Sequence, residues 1–272
     1  MIGKKLAIWF ATGVLLFTAA FQATAQQKSN ITKVQLSQAE IDRIVKAFSS
    51  KEFEFREALK NYSFRRKAEI QTVGDGGQIT GEYIRESSFV FGNDGARYER
   101  VLFAPQPTFS GVTAEDLDDL GGVNPFALEP SKLPQYNFAF VGKEKIDELN
   151  LFVFDVTPKV IPDAKKTKER FFSGRIWVDD EDLQIVKTKG KGLPETKINK
   201  FPVVETWRER IDGKYWFPTY SYANDELFFD AGNTLKIKLR VRYTDFKEAT
   251  STVRVLDDDE VVTEDPPAPK KP

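Results

Sequence analysis

From residue 62 to residue 246 the chain repeats one pattern: short runs in which alternate residues are apolar, cut by tight turns of Gly, Asp and Asn. Alternation of period two belongs to half-buried strands. Parallel strands would need helical crossovers of about 10 to 15 residues between them, and none separates the runs after residue 136. The chain is thereby restricted to antiparallel strands in succession.

The runs form two groups. Residues 62–73, 78–91 and 96–103, joined by Gly74-Asp75-Gly76-Gly77 and Gly92-Asn93-Asp94-Gly95, read as a three-strand meander. Residues 136–141, 149–157, 170–178, 183–189, 203–211, 214–222 and 234–246 read as seven more strands. A twisted sheet of about ten strands must curl or split. The expected fold class is mainly β (α+β): a single curved antiparallel sheet forming an incomplete barrel, covered by N-terminal and loop helices.

Two places assign faces. Leu235, Ile237, Leu239, Val241 and Tyr243 alternate with Lys236, Lys238, Arg240 and Arg242, so one face is buried and the basic one is wet and protects the edge. At Asp212-Gly213 a two-residue turn would pair Ile211 with Lys214 and Glu209 with Trp216, making Trp207 and Trp216 diagonal neighbours on one face. Such aromatics can wall a ligand or fill a core.

The ends differ in character. Lys4 and Lys5, the apolar run 6–17 and Ala23-Thr24-Ala25 form the pattern of an export signal over residues 1–25, with cleavage before Gln26. The run is shorter than the ~20 apolar residues of a membrane span. A periplasmic or secreted protein is expected, without a lipid-bearing cysteine. Residues 26–250 would form the folded domain, and residues 251–272, acidic and rich in proline, a disordered tail.

Ser37 with Glu40 makes a capping box, stapled by Leu36 and Ile41, and Phe48-Ser49-Ser50-Lys51-Glu52-Phe53 repeats that grammar. Two short helices or one kinked helix should run over 38–60, with Ile41, Ile44, Val45 and Phe48 as the apolar stripe. Residues 104–135 form a long Pro- and Gly-rich connection with a short helix capped by Thr113, with Asp116 three residues on. Connections of that length commonly cover or gate something.

The chemistry open to the chain is narrow, because its 272 residues include no histidine and no cysteine. Ser-His-Asp triads, thiol nucleophiles and the usual zinc ligands are excluded. Carboxylate pairs remain. Asp179-Asp180-Glu181-Asp182 lies at a hairpin turn and lacks the interleaved spacing and glycine of a calcium loop. Glu205 and Glu209 would share a strand face with Trp207. No metal and no cofactor is expected, and a carboxylate-based hydrolase is the lesser alternative. Loss of Lys4 and Lys5 with the leader leaves 38 basic against 41 acidic residues, no attraction for nucleic acid.

The segment Phe171-Phe172-Ser173-Gly174-Arg175-Ile176-Trp177-Val178-Asp179-Asp180-Glu181-Asp182-Leu183-Gln184-Ile185-Val186-Lys187, following a helical N-terminus and a meander, resembles the hairpin of outer-membrane lipoprotein-sorting proteins, the LolA/LolB-like carriers. The resemblance implies an unclosed barrel whose apolar concave face, closed by helices, accepts the acyl chains of lipid or lipoprotein. It implies a binding protein and not an enzyme, or a sensor of the same fold acting on an envelope membrane protein. The 104–135 connection and the charged C-terminal extension depart from the simple carriers. Strand aromatics are the cavity candidates: Tyr83, Phe89, Phe91, Phe138, Phe140, Phe152, Phe154, Trp177, Trp207 and Trp216, with Phe152 and Phe154 expected on one face and Phe171 and Trp177 on another.

Overall fold

The computed structural model describes residues 30–92, 94–109, 128–166, 169–197, 199–230 and 232–249. The expected leader, C-terminal tail and Thr113 helix lie outside the described residues. From residue 31 onward the described chain is one α-helix, a single 3-10 turn (Leu133–Gln135) and one sheet. Helix α1 (Gln38–Leu59) is followed by β1 (Tyr62–Val73), β2 (Ile79–Phe91), β3 (Arg97–Phe103), β4 (Tyr136–Ile146) and β5 (Leu149–Pro158). Then come β6 (Phe171–Asp179), β7 (Ile185–Leu193), β8 (Val204–Ile211), β9 (Tyr215–Phe228) and β10 (Thr234–Glu248). Their order across the sheet is β3-β2-β1-β10-β9-β8-β7-β6-β5-β4, every pairing is antiparallel, and β3 and β4 are not paired to each other. The sheet curls without closing, as the strand count requires.

Helix α1 starts where the capping box places it. Ser37 Oγ accepts from the Glu40 N–H at 3.3 Å, and Glu40 Oε2 accepts from the Ser37 N–H at 2.9 Å. The helix then runs unbroken for 22 residues, roughly 33 Å. The second cap expected at Ser49-Ser50 does not form: Ser49 is buried, and the Ser50 hydroxyl donates back to the Lys46 carbonyl at 3.1 Å. An intrahelical bond of that kind satisfies the hydroxyl without ending the helix.

The helix lies along the inside of the curl and joins two cores. Near its start, Ile44 and Phe48 pack with Phe152, Phe154, Val156, Ile176 and Val178 of β5 and β6. Near its end, Phe55, Ala58 and Leu59 pack with Tyr62, Ala68 and Ile70 of β1, Phe217 of β9 and Leu239, Val241 and Tyr243 of β10. A smaller cluster on the other face of the sheet, Leu151, Val153, Trp177 and Val186, contains no residue of the helix.

The hairpin between β8 and β9 departs from the expected register. Asp212 and Gly213 both take left-handed backbone, with φ of 50° and 67°, as a type I′ turn requires. Lys214 stays in the turn, however, so Ile211 pairs with Tyr215, Arg210 with Trp216 and Glu209 with Phe217. A further register shift follows at Trp207/Arg208, and Trp207 pairs with Tyr220. Trp207 and Trp216 are therefore not diagonal neighbours.

The two edges of the sheet are finished differently. Thr32 exchanges both backbone hydrogen bonds with Lys143 of β4, at 2.7 and 2.9 Å. Gly142 makes room for this: its φ is 151°, and a Cβ there would run into the Thr32 carbonyl. Along β3 the residues from Tyr98 to Phe103 are exposed.

Candidate binding face

The inner face of the curl is aromatic on both sides of a charged crossbar. On the β4–β5 side the Phe48 ring lies 5.7 Å from Phe138 and 6.1 Å from Phe154, and Phe140 lies 5.3 Å from Phe154 and 6.2 Å from Phe152. On the other side Phe55 and Tyr62 approach Phe217 at 5.7 and 4.8 Å, and Phe64 stacks on Phe89 at 4.6 Å. These tilted, edge-on and offset arrangements are the favourable ones for aromatic pairs.

The crossbar joins Glu52 of α1 to Arg208 of β8. Arg208 Nη2 donates to Glu52 Oε2 at 3.0 Å, Nη1 donates to Oε1, and both side chains are buried. Arg208 Nη1 also donates to the Ile185 carbonyl at 3.3 Å, and its guanidinium lies 4.8 Å over Phe55. Two-point pairing with further hydrogen bonds is what a buried ion pair needs to offset desolvation. Glu52 stands four residues after Phe48 and three before Phe55, within the apolar stripe. A carboxylate in that stripe was the sequence signal that a cation must meet it.

A second polar group sits where β1, β2 and β3 meet. Arg66 Nη2 at 3.1 Å, Arg85 Nε at 2.9 Å and Ser87 Oγ at 2.6 Å all donate to Glu99 Oε1. Burial alone would raise the Glu99 pKa, but donation from Arg85 and Ser87 and the charges of Arg66 and Arg85 outweigh it and hold it down to about 2. Arg97 of β3 donates to the Leu59 and Tyr62 carbonyls and so ties the end of α1 to the β3 edge.

The structure divides the sequence-derived candidates. Phe138 and Phe140 pack against the first core and Phe152 and Phe154 belong to it, while Tyr83 and Phe89 pack against the second. Phe91, half-buried, shares the Phe89 side of β2 by alternation. The three tryptophans lie elsewhere. Trp177 belongs to the cluster on the other face, and Trp216 packs against it. Lys187 Nζ sits between the Trp177 and Trp207 rings, 4.8 and 4.0 Å from their centres. Each indole N–H meets a carboxylate: Trp177 with Glu144 at 2.7 Å, Trp207 with Glu205 at 2.9 Å and Trp216 with Asp182 at 3.1 Å. Phe171 and Trp177, expected together, join different clusters, because the strand twists over the five residues between them.

The carboxylates considered for catalysis are engaged or apart. Glu205 is held by Lys187 at 3.0 Å and Lys189 at 3.4 Å, whereas Glu209 is exposed opposite Phe217. In the β6–β7 turn, burial first, and then the charge of Asp182 and a hydrogen bond with it, push the Asp179 carboxyl up to about 6. Among the described residues no three His, Cys, Asp or Glu side chains gather as a metal site, and no helix is long and apolar enough to cross a membrane.

No protein-family model matches the chain, and no curated protein is similar to it. Among solved structures it is similar to a DUF1329 family protein from Desulfovibrio piger, with 15% identity and a TM-score of 0.36 over 76% of this chain and 94% of that one. A LolA superfamily protein from Nitrosomonas europaea gives 15% identity and a TM-score of 0.34 over 74% and 93%. MucB gives 15% and 0.28 over 76% and 94%.

Proposed function

We propose that the protein is a non-catalytic binding protein that holds acyl chains of lipid or lipoprotein against the inner face of the sheet, outside the cytoplasm once residues 1–25 are removed. One observation carries the reading: a ten-strand sheet is left unclosed, and its aromatic inner face is covered by a single helix. Apolar surface of that extent must be covered by something. Helix α1 covers it in the free protein, and an acyl chain competes for the same surface. Each ligand methylene removed from water contributes about 0.8 kcal/mol, so a chain of ordinary length can displace part of the helix's own packing. The six inner-face aromatics Tyr83, Phe89, Phe138, Phe140, Phe152 and Phe154 are the contacts proposed. The three tryptophans are not.

Purified protein should release lipid on denaturing extraction and, once delipidated, bind a fluorescent fatty-acid probe saturably. Absence of both lipid and probe binding ends the proposal.

A further inference from the structure

Glu52 has a second place to bind besides Arg208. It closes the sequence Ser49-Ser50-Lys51-Glu52, the Ser-x-x-Glu spacing in which a serine hydroxyl caps a helix and the glutamate returns to the serine N–H. Ser37-Gln38-Ala39-Glu40 uses that spacing to start α1. The second box is unused, and its parts are left over. The Ser49 hydroxyl is fully buried without a hydrogen-bond partner among the described residues, and Phe53, which stands where a staple to Phe48 would form, is 47% exposed. Buried hydroxyls without partners are rare enough to need a reason.

A helix that starts at Ser49 supplies the reason. Ser49 Oγ would then accept from the Glu52 N–H, the Glu52 carboxylate from the Ser49 N–H, and Phe48 would leave Phe138 and Phe154 for Phe53. The second half of α1 has its own anchors and keeps its seat. Arg56 pairs with the buried Glu129 at 2.7 Å, and Arg97 donates to the Leu59 carbonyl at the helix end.

Arg208 does not move with the first half of the helix. It stands on β8, donates to the Ile185 carbonyl at 3.3 Å and lies over Phe55 of the second half, and its Nε is buried without a hydrogen-bond partner among the described residues. Once Glu52 turns back to Ser49, the guanidinium is left within the apolar curl without a counter-charge, which is strongly unfavourable. Two residues before it on the inner face, Thr206 shares one hydrogen bond with Ser221 of β9 at 2.9 Å. Of the two hydroxyl protons in that pair, one has no acceptor among the described residues. The Glu99 group offers no such opening, because Arg66, Arg85, Ser87 and Glu99 all stand on strands of the sheet.

We infer that Arg208 binds the anionic end of the acyl ligand, and that α1 uncovers it by breaking at Ser49. The site rests on the acyl-binding reading and identifies the ligand's other end. Glu52 shows what fits: two acceptor oxygens facing Nη1 and Nη2, as a carboxylate or a phosphate monoester presents. Fatty acids and lysophosphatidic acid carry such an end, and a methyl ester does not. The tail takes the aromatic floor that Phe48 vacates.

Delipidated protein is titrated with dansylamino-undecanoic acid and with its methyl ester. The acid should bind about tenfold or more tightly than the ester. In Glu52→Leu/Arg208→Met, which removes both charges together, acid and ester should bind alike. Ser49→Ala deletes a hydroxyl that has no partner in the seated helix, so resistance to urea should not fall. Both probes should nevertheless bind it about fivefold more weakly, for want of the cap. A residue that only packs would not separate binding from stability in this way. Palmitic acid and lysophosphatidic acid then compete against the acid probe, and displacement by either supports the inference and says which anion is held.

If neither probe binds, the acyl reading falls and this site with it. Equal binding of acid and ester to wild type leaves the acyl reading standing and overturns the anion site. A preference for the acid that survives in the double variant overturns it as well. So does unchanged probe binding in Ser49→Ala, or displacement of the acid probe by neither competitor.

Discussion

The buried pair Glu52–Arg208 is the residue-scale feature with the largest consequence for stability. Removing one partner leaves a charge in the core with nothing to neutralise it, so Arg208→Met or Glu52→Gln should cost about 3–5 kcal/mol in urea unfolding. Glu52→Leu/Arg208→Met together should cost less than either change alone, since the paired desolvation disappears with the pair. If the double variant is the least stable, the pair itself stabilises the fold. Asp179 responds to pH with the opposite sign from a salt-bridged carboxylate. Its pKa is pushed up to about 6 by burial and by Asp182, so the native state holds a proton that the unfolded chain has lost. Its contribution to stability is therefore present below about pH 4 and disappears as the pH rises to about 6. Asp179→Asn should gain stability over wild type as the pH climbs through that window. Unfolding midpoints at its two ends check this, and an unchanged difference sinks the coupled-carboxyl account.

At the scale of elements the sequence was most readable where a local rule acts alone. The Ser37 cap, the Asp212-Gly213 backbone and the alternation of β10 each depend on a few neighbouring residues, and each appears in the structure as the chain suggests, although β10 lies between β1 and β9 and is not the edge its basic face was expected to protect. Errors arose where a distant segment decides. Ser49-Ser50 has the grammar of a second cap, but the sheet packs against both halves of α1, and continuous burial of Phe48, Glu52 and Phe55 favours one unbroken helix. An ideal two-residue turn makes Trp216 a diagonal neighbour of Trp207; with Lys214 kept in the turn it pairs with Arg210 and packs against the Leu151, Val153, Trp177 and Val186 cluster. The Thr32 bridge to β4 was invisible, since nothing near Gly142 says that another segment will lie across it. The inner-face positions of the β2, β4 and β5 aromatics were readable from strand alternation. Glu52 in the apolar stripe announces a cation but not which one, because Arg208 lies 156 residues away; the group at Glu99 was not readable, because only the pairing of β1, β2 and β3 brings Arg66, Arg85 and Ser87 to one carboxylate.

At the scale of the whole molecule, α1 is both core and cover, and these roles compete. Its packing holds the curl together, yet any ligand of the inner face must take over part of the surface it buries. Affinity for an acyl chain is then reduced by the fraction of molecules in which the helix is seated, and weakening its seat raises the apparent affinity. Phe48 is the residue to vary, because its ring touches Phe138 and Phe154 on the proposed floor and is fully buried. Phe48→Ala should lower stability by about 3–5 kcal/mol. The same change should tighten binding of the fatty-acid probe. A core residue with no part in ligand competition would instead lose binding in step with folding. The comparison is therefore made well below the variant's melting temperature, with Ile70→Val, a β1 core change away from α1's first half, as the control for reduced stability. Tighter probe binding in Phe48→Ala alone supports competition between helix and ligand. Unchanged or weaker binding in the folded variant means that the helix is permanent core and that an acyl chain, if held, lies elsewhere.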